Sequence, residues 1–231
     1  KTILLDVGEK LAVEKKEAWQ EKVITSNAKR SLIPYLKSRG VAKIDQLVLT
    51  TSQPKQLDHL LEISKSFNLG EILVTEETLS KREFMDKLKE SNLKVRPIKT
   101  GEQLFIFGSS LEVIENQNSD SKASIVMYGK LLNQTFLVTG NIEEKFLNKS
   151  YPKIQADVVL THQQASKKKT DVEVFEIFQP KITVISLDKK KKFKEKNGEN
   201  NQEFGNSIYK TDQKGAIRFK GWGAWQIETV R

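Results

Sequence analysis

The chain has 231 residues, of which 37% are hydrophobic and 30% charged, so it is long enough to bury a sizeable core and suits a soluble globular protein. No run of about 18 apolar residues occurs, which argues against a membrane span. Cysteine is absent, which excludes disulfides, thiolate zinc sites and cysteine nucleophiles. The only histidines are His59 and His162, too few for an imidazole-rich binuclear metal centre.

The net charge of +9 is unevenly distributed along the chain. From Thr161 to Arg231 there are 15 Lys/Arg against 9 Asp/Glu, so 15 − 9 = +6 of the charge lies in the last third. A basic excess of this kind favours polyanionic partners, nucleic acid first and anionic surfaces second, although it also serves solubility.

The first part of the chain alternates strands with helices. Thr2 to Gly8 is predicted as a strand ending in Asp-x-Gly, and Ser26 or Asn27 as the cap of a helix that runs through Arg39 to a stop at Gly40. The later elements of this part are a strand over 41–50, a helix from Leu57 to a stop at 68–70, a strand over 71–75 and a helix over 77–91.

The middle of the chain is a predicted meander, and the last third returns to strand and helix alternation. Short strands are expected over 93–98, 103–107 and 111–115, followed by a hairpin over 123–139 and, later, strands over 157–160 and 182–187. Two strand-rich halves with helices outside predict an α/β fold of four layers, an αββα sandwich, as one domain over residues 1–231. Because the chain opens on a strand pattern at Lys1, it is expected to be part of a longer protein.

Several segments, in this order, resemble the metallo-β-lactamase-like domain of ComEC family competence proteins. They are Thr2–Gly8, Ser31–Gly40 with the strand to Thr50, Thr135–Asn141, Lys181–Ser186 and Tyr209–Arg218. The resemblance implies the metallo-β-lactamase fold, in a soluble domain attached to a membrane protein that passes single-stranded DNA into the cell. It further implies an extracellular position and, where the metal site is intact, degradation of the strand that is not imported.

The metal motifs that the resemblance implies are largely missing here. The His-x-Asp-x-Asp-His positions hold Thr51, Gln53, Lys55 and Gln56. Asn141 stands for the aspartate of Gly-Asp, and His162-Gln163 for a His-His pair. In the same family Asp6 supports the site without holding metal.

Lys55 is the most informative of these replacements, because an ammonium replaces a carboxylate. At about 4 Å and an effective dielectric constant near 20, a lysine pointing inward repels a divalent cation by roughly 8 kcal/mol. The sequence therefore predicts a catalytically silent domain, a pseudo-nuclease without metal or other cofactor, that supports DNA binding, gating or assembly in natural transformation. The expected partners are DNA, the rest of the membrane channel and other competence proteins.

Two lysine clusters are the candidate DNA-binding residues, because they follow predicted strands in loops where they can track a phosphate backbone. The residues are Lys167, Lys168, Lys169, Lys189, Lys190, Lys191, Lys192 and Lys194.

Two alternatives remain open from the sequence. The first is an active zinc- or manganese-dependent hydrolase with relocated ligands, drawn from Asp58, His59 and Glu62 or from His162. Against it, His59 is interpreted as a surface or helix-side residue, because its leucine neighbours take the buried face. The second alternative is a protein-interaction platform that uses Trp222 and Trp225, although paired aromatics of this kind also serve as core residues.

Overall fold

A computed structural model shows a mixed α/β protein with three sheets. It describes residues 1–7, 26, 28–50, 54–89, 91–106, 108–117, 124–131, 133–140, 154–162, 178–186, 207–221 and 226–230, without the side chains of 54, 55, 115–117, 124, 162 and 212. No helix in these ranges is long and apolar enough to cross a membrane. Contacts divide the chain into two compact units, Lys1–Lys99 with Gln117–Ala123, and Thr100–Asn116 with Ser124–Arg231, and the prediction of a single domain stays a prediction.

The first unit is a four-stranded parallel sheet in the order β1-β2-β3-β4. Its elements are β1 (Ile3–Leu5), α1 (Ile33–Ser38), β2 (Lys43–Val48), α2 (Pro54–Ser64), β3 (Asn68–Val74), α3 (Glu76–Ser80), α4 (Arg82–Lys89) and β4 (Val95–Pro97). Leu47 and Leu49 of the β2 segment pack with Ile72 and Val74 of β3 against buried residues of the helices, such as Leu60. Leu47 and Leu49, like Ile72 and Val74, are two residues apart and so share the sheet face that meets the helices, while Val48 and Leu73 on the other face are also buried.

The predicted helix over 26–39 is present, but its first turn is wide. Residues Ala28–Leu32 form a π-helical turn before α1. Pro34 lies in the first turn of α1 and has no N–H, so the carbonyl of Arg30 has no donor four residues on. Ser26 caps this end, since its Oγ accepts from the Lys29 N–H at 3.2 Å.

Two boundaries differ from the sequence prediction. The stop expected at 68–70 lies inside β3, because Gly70 serves a close strand approach: a Cβ there would sit 2.2 Å from the Asp45 carbonyl oxygen. The helix predicted over 77–91 is split at Lys81 into α3 and α4. The Ser80 hydroxyl donates a hydrogen bond to the Glu77 carbonyl at 2.8 Å. The Lys81 N–H donates to the Thr78 carbonyl and not to the Glu77 carbonyl, which would be its partner in a continuous α-helix.

The second unit contains a seven-stranded sheet in the order β11-β10-β9-β8-β7-β6-β5 and a β12-β13 hairpin. The elements are β5 (Gln103–Ile106), β6 (Ser109–Gln117), β7 (Ser124–Leu131), β8 (Gln134–Val138), β9 (Val158–His162), β10 (Ile182–Ser186), β11 (Ser207–Lys210), α5 (Thr211–Lys214), β12 (Ala216–Lys220) and β13 (Gln226–Val230). Strands β8 to β11 are parallel, whereas β5 pairs with β6 and β7 with β8 antiparallel. The meander thus lacks the strand predicted over 93–98, which pairs with β3 as β4.

Asp157 links the amino-terminal ends of β8, β9 and β10, three neighbouring parallel strands of the second unit. Its carboxylate accepts from the Thr135 N–H and hydroxyl, each at 2.8 Å, and pairs with the Lys181 ammonium at 2.7 Å. Burial raises the pKa of this carboxyl, but the Lys181 and Thr135 hydrogen bonds lower it by more, so the pKa lies below its ordinary value.

Replacing Asp157 by Asn is expected to destabilise the protein at neutral pH by about 1.5–3 kcal/mol, because hydrogen bonds to a charged acceptor are lost. A lowered folded-state pKa contributes stability that is present above the unfolded pKa of about 3.9 and is lost as pH falls through the folded value. The gap between wild type and Asp157→Asn, measured by urea unfolding, should therefore shrink below pH of about 4. A gap independent of pH, or an equal effect of Asp86→Asn at an exposed position, would contradict this.

Gly129 of β7 lies where a Cβ would sit 2.0 Å from the Ser110 carbonyl oxygen of β6. Gly129→Ala is expected to cost about 1–3 kcal/mol in the free energy of unfolding, because neither backbone can give way cheaply. The adjacent, exposed Lys130 supplies the control, and Lys130→Ala should change stability by less than about 0.5 kcal/mol. Equal denaturant midpoints for the two variants would rule out the close approach.

Candidate functional site

The carboxyl ends of the parallel strands of the first unit lie at one edge of the sheet. Asp6 directly follows β1, Thr50 follows β2 and Thr75 follows β3. This is the edge at which open α/β sheets place ligands. Residues 51–56, which the sequence analysis predicts to be a degenerate metal motif, follow Thr50 directly in the chain.

Asp6 links the end of β1 to the end of β2. Its carboxylate accepts the backbone N–H of Thr50 at 2.8 Å and the Thr50 hydroxyl at 2.5 Å. Its own N–H donates to the Val48 carbonyl at 2.8 Å. The backbone of Asp6 is left-handed, with φ of 59°, a conformation that Asp tolerates better than most residues. Three hydrogen bonds therefore fix a strained residue at the entrance to the motif segment.

Gln56 is the one motif position whose side chain the structure describes in full. The residue is 3% exposed, and its Nε2 donates to the Asp6 carboxylate at 3.4 Å. A carboxylate can only accept, so the amide nitrogen must be the atom that faces Asp6. The Gln56 Oε1 is buried and has no hydrogen-bond partner within the described residues. The side chain that stands where the family motif has a histidine is therefore turned toward Asp6.

The interpretation of His59 as a surface or helix-side residue is wrong. His59 is 0% exposed, and its Nδ1 lies 3.1 Å from the Val7 carbonyl oxygen, which makes Nδ1 the donor. It follows Gln56 by three residues on α2, so both side chains reach the same turn of chain after β1. The spacing of the leucines predicted that only one face of α2 is buried. In the structure Gln56 and His59 are buried as well, so the buried part of the helix is wider than the apolar stripe.

The relocated ligand set proposed around His59 is engaged elsewhere. Asp58 pairs with Lys87 of α4 at 3.1 Å, and this hydrogen bond raises the pKa of Lys87. Glu62 accepts from the Ser26 hydroxyl and lies 3.8 Å from the Lys29 ammonium. The described residues contain no group of three His, Cys, Asp or Glu side chains that could hold a metal ion. The three candidate ligands on α2 thus point to three different partners.

In the second unit, the parallel strands β8 to β11 also end at one edge. His162 is the last residue of β9 and is in register with Ser186, the last residue of β10. Gly140 follows β8 with φ of 56°, and Asn141 comes next in the chain. His162 therefore lies at the carboxyl-terminal edge of these strands, while its side chain lies outside the description.

The remaining predicted site residues lie outside the described residues. Lys55 is the second residue of α2, but its side chain is not described. The same holds for both tryptophans of the proposed interaction platform. The residues outside are Thr51, Gln53, Asn141, Gln163, Lys167, Lys168, Lys169, Lys189, Lys190, Lys191, Lys192, Lys194, Trp222 and Trp225. Their roles stay predictions.

Sequence comparison points to one curated relative. The chain is 24% identical over 232 residues to ComE operon protein 3 of Bacillus subtilis (strain 168), an alignment that covers 94% of this chain. The resemblance to the ComEC family is confirmed. The chain spans 30% of the length of that relative. No protein-family model matches the chain.

Structure comparison confirms the fold prediction. The metallo-β-lactamase fold protein YhfI from Bacillus subtilis is 11% identical, with a TM-score of 0.52 over 81% of this chain and 82% of that protein. A diphosphatase from the PhnP family is 14% identical, with a TM-score of 0.49 over 90% of this chain and 76% of that one. At this level of identity the likeness to YhfI concerns the fold alone. The chain therefore has the metallo-β-lactamase fold and is similar in sequence to ComE operon protein 3.

Thr50 was missed by the sequence analysis although its hydroxyl is half of the contact with Asp6. Thr50→Val keeps the shape and β-branching but leaves the half-buried Asp6 carboxylate without that donor. The variant is expected to lose about 1.5–3 kcal/mol in the free energy of unfolding. Thr229→Val, at an exposed position of β13, is the matched control and should change stability by less than about 0.5 kcal/mol. Indistinguishable denaturation curves for the two variants would refute this role of Thr50.

Proposed function

We propose that this chain is the metallo-β-lactamase-like domain of a DNA-uptake protein, in which metal-dependent hydrolysis has been lost. The domain would contribute DNA binding, gating or assembly at the outer face of the cell membrane, together with a channel and other competence proteins. The likeness to ComE operon protein 3 over 94% of the chain supports the competence role. The loss of hydrolysis rests on the chemistry of the side chains at the motif positions.

One observation carries the loss of hydrolysis most directly. Gln56, at the position of a motif histidine, directs its only donor group at Asp6 and is buried. A metal ligand must aim a lone pair at the ion, and an uncharged amide oxygen is a weak ligand for zinc. The sequence supplies no imidazole or carboxylate at residues 51, 53, 55 or 141 either. The residues present therefore do not fit the divalent metal that the fold family implies.

The alternative of a hydrolase with relocated ligands gains no support from α2. Asp58 is held by Lys87, Glu62 by Ser26 and Lys29, and His59 donates to a backbone carbonyl. Bringing these side chains to one ion would break an ion pair between two helices and a buried hydrogen bond. Each such loss costs on the order of 1 kcal/mol or more.

The proposal is tested by purifying the 231-residue chain without chelator from medium containing zinc and manganese. Metal content should lie well below one ion per chain, and cleavage of single- and double-stranded DNA should not exceed background. The matched control restores the first motif with Thr51→His, Gln53→Asp, Lys55→Asp and Gln56→His, and should raise metal content. That gain would show that the fold tolerates a metal and that the side chains are what excludes it.

The opposite result is equally definite. One zinc or manganese ion per wild-type chain, together with DNA cleavage that His162→Ala abolishes, would establish the metal-dependent nuclease and end the proposal. Binding of DNA without cleavage would support the silent domain.

A further inference from the structure

A second basic region lies near the start of the sequence, in addition to the lysine clusters of the last third. Between residues 28 and 44 the chain carries five cations, Lys29, Arg30, Lys37, Arg39 and Lys43, and no Asp or Glu. All five lie in the described part of the chain, on or just after the helix formed by the π-helical turn and α1. The uninterrupted positive charge makes this helix a candidate contact for a polyanion.

The helix presents its cations to solvent. Its apolar residues Ala28, Ile33 and Leu36 are buried in the core of the first unit. Lys29, Arg30, Lys37 and Arg39 are exposed, as is Tyr35 between them. Since the apolar face is already used in the core, the helix has none left to insert into a lipid surface, which interfacial membrane helices require.

Two of the five cations lie beside carboxylates: Lys29 is 3.8 Å from Glu62, which also accepts the Ser26 hydroxyl, and Lys43 is 3.1 Å from Asp45. Arg30 also has an interaction partner. Lys37 and Arg39 form no ion pair with any described residue. Exposed pairs such as Lys29–Glu62 contribute little and leave the lysine able to exchange partners. Both ends of α1 therefore keep positive charge available to an anion.

Tyr35 distinguishes this surface from an ordinary basic patch. Its side chain is a large aromatic group that is 48% exposed. Arg39 follows it by four residues, so the two side chains share a face of the helix, whereas Lys37, two residues from each, projects from a different face. A half-exposed aromatic ring with an arginine on the same face, on a helix that carries further cations, suits single-stranded nucleic acid: bases stack on the ring while the cations contact phosphates.

We propose that this α1 surface, formed by Lys29, Arg30, Tyr35, Lys37 and Arg39, binds single-stranded DNA. A base stacks on the Tyr35 ring, the Arg39 guanidinium on the same face contacts a phosphate beside that base, and the other cations of the helix contact phosphates elsewhere on the strand. The assignment rests on the proposed function for the identity of the polyanion. The surface itself rests on charge, exposure and the single aromatic ring.

The test measures binding of the 231-residue chain to a fluorescein-labelled oligothymidylate of about 20 nucleotides by anisotropy, between about 50 and 200 mM salt. Tyr35→Ala should weaken binding roughly 5- to 150-fold, while Tyr35→Phe, which keeps the stacking ring, should bind like wild type. The double variant Lys37→Gln/Arg39→Gln should reduce the slope of log affinity against log salt by about 1.4, since each phosphate contact contributes about 0.7.

The control removes the same charge elsewhere, with Lys65→Gln/Lys214→Gln at two exposed lysines, and should leave both affinity and slope near those of wild type. Unfolding curves of all variants should match, because every substituted side chain is exposed. Loss of affinity in Tyr35→Ala but not in Tyr35→Phe supports the inference, because a general loss of structure would not spare the phenylalanine.

Three results would overturn the inference. If the chain binds the oligonucleotide but the α1 variants behave like the control, DNA binding belongs to another surface and the proposed function stands. If no binding is detected even at low salt, the inference falls with the DNA-binding part of the proposed function, while the metal assay still decides hydrolysis separately. Binding to phosphatidylglycerol vesicles that Lys37→Gln/Arg39→Gln abolishes, without binding to the oligonucleotide, would assign the surface to membrane lipids instead.

Discussion

The hydrogen bonds between Asp6 and Thr50 are the constraint on which the candidate site depends. They join the carboxyl ends of β1 and β2 at the point where the chain leaves the sheet for the motif segment. A left-handed backbone at a non-glycine residue costs free energy and persists only where the surroundings over-determine it. Three hydrogen bonds hold Asp6 in this conformation. The Thr50 N–H and hydroxyl donate to its carboxylate, and its own N–H donates to the Val48 carbonyl.

Two side chains of α2 add to this constraint at the sheet edge. Gln56 and His59 both direct N–H groups at the turn after β1, one to the Asp6 carboxylate and one to the Val7 carbonyl. In a metal centre, side chains at such an edge would aim lone pairs outward at the ion. In this chain they anchor α2 to the end of β1 instead. The same two elements that would frame a catalytic centre are held together by ordinary hydrogen bonds.

Patterns of apolar residues predicted the elements that pack on the sheets. The continuous apolar run before Thr50 gave β2, and the strands near 134–138, 158–162 and 182–186 were placed within a few residues. Such strands follow directly from burial, which the sequence records residue by residue. The order of segments also gave the family resemblance and, through it, the fold.

The features that the sequence did not reveal depend on single contacts in three dimensions. At the break near Lys81, the Ser80 hydroxyl donates a hydrogen bond to the Glu77 carbonyl. At position 70 a glycine is needed, because a Cβ would collide with the Asp45 carbonyl oxygen of the adjacent strand. Burial of His59 requires the position of Val7, which lies 52 residues away in the chain. Asp6 was recognised only through the resemblance, and Thr50 not at all. The pattern of neighbouring residues in the sequence does not indicate partners that are distant along the chain.

Helix α2 connects the candidate site to the α1 surface. Through Gln56 and His59 it is fixed to the turn after β1, and through Glu62, one turn further along, it receives the Ser26 hydroxyl at the start of the helix that carries Tyr35. Leu57, Leu60 and Ile63 pack in the same core as Ile33 and Leu36, so apolar contacts reinforce the polar ones. The exposed cations and Tyr35 therefore lie on a helix whose buried side packs against α2, the helix that Gln56 and His59 fix to the end of β1. Side-chain hydrogen bonds and apolar packing within the first unit are thus what position the α1 surface.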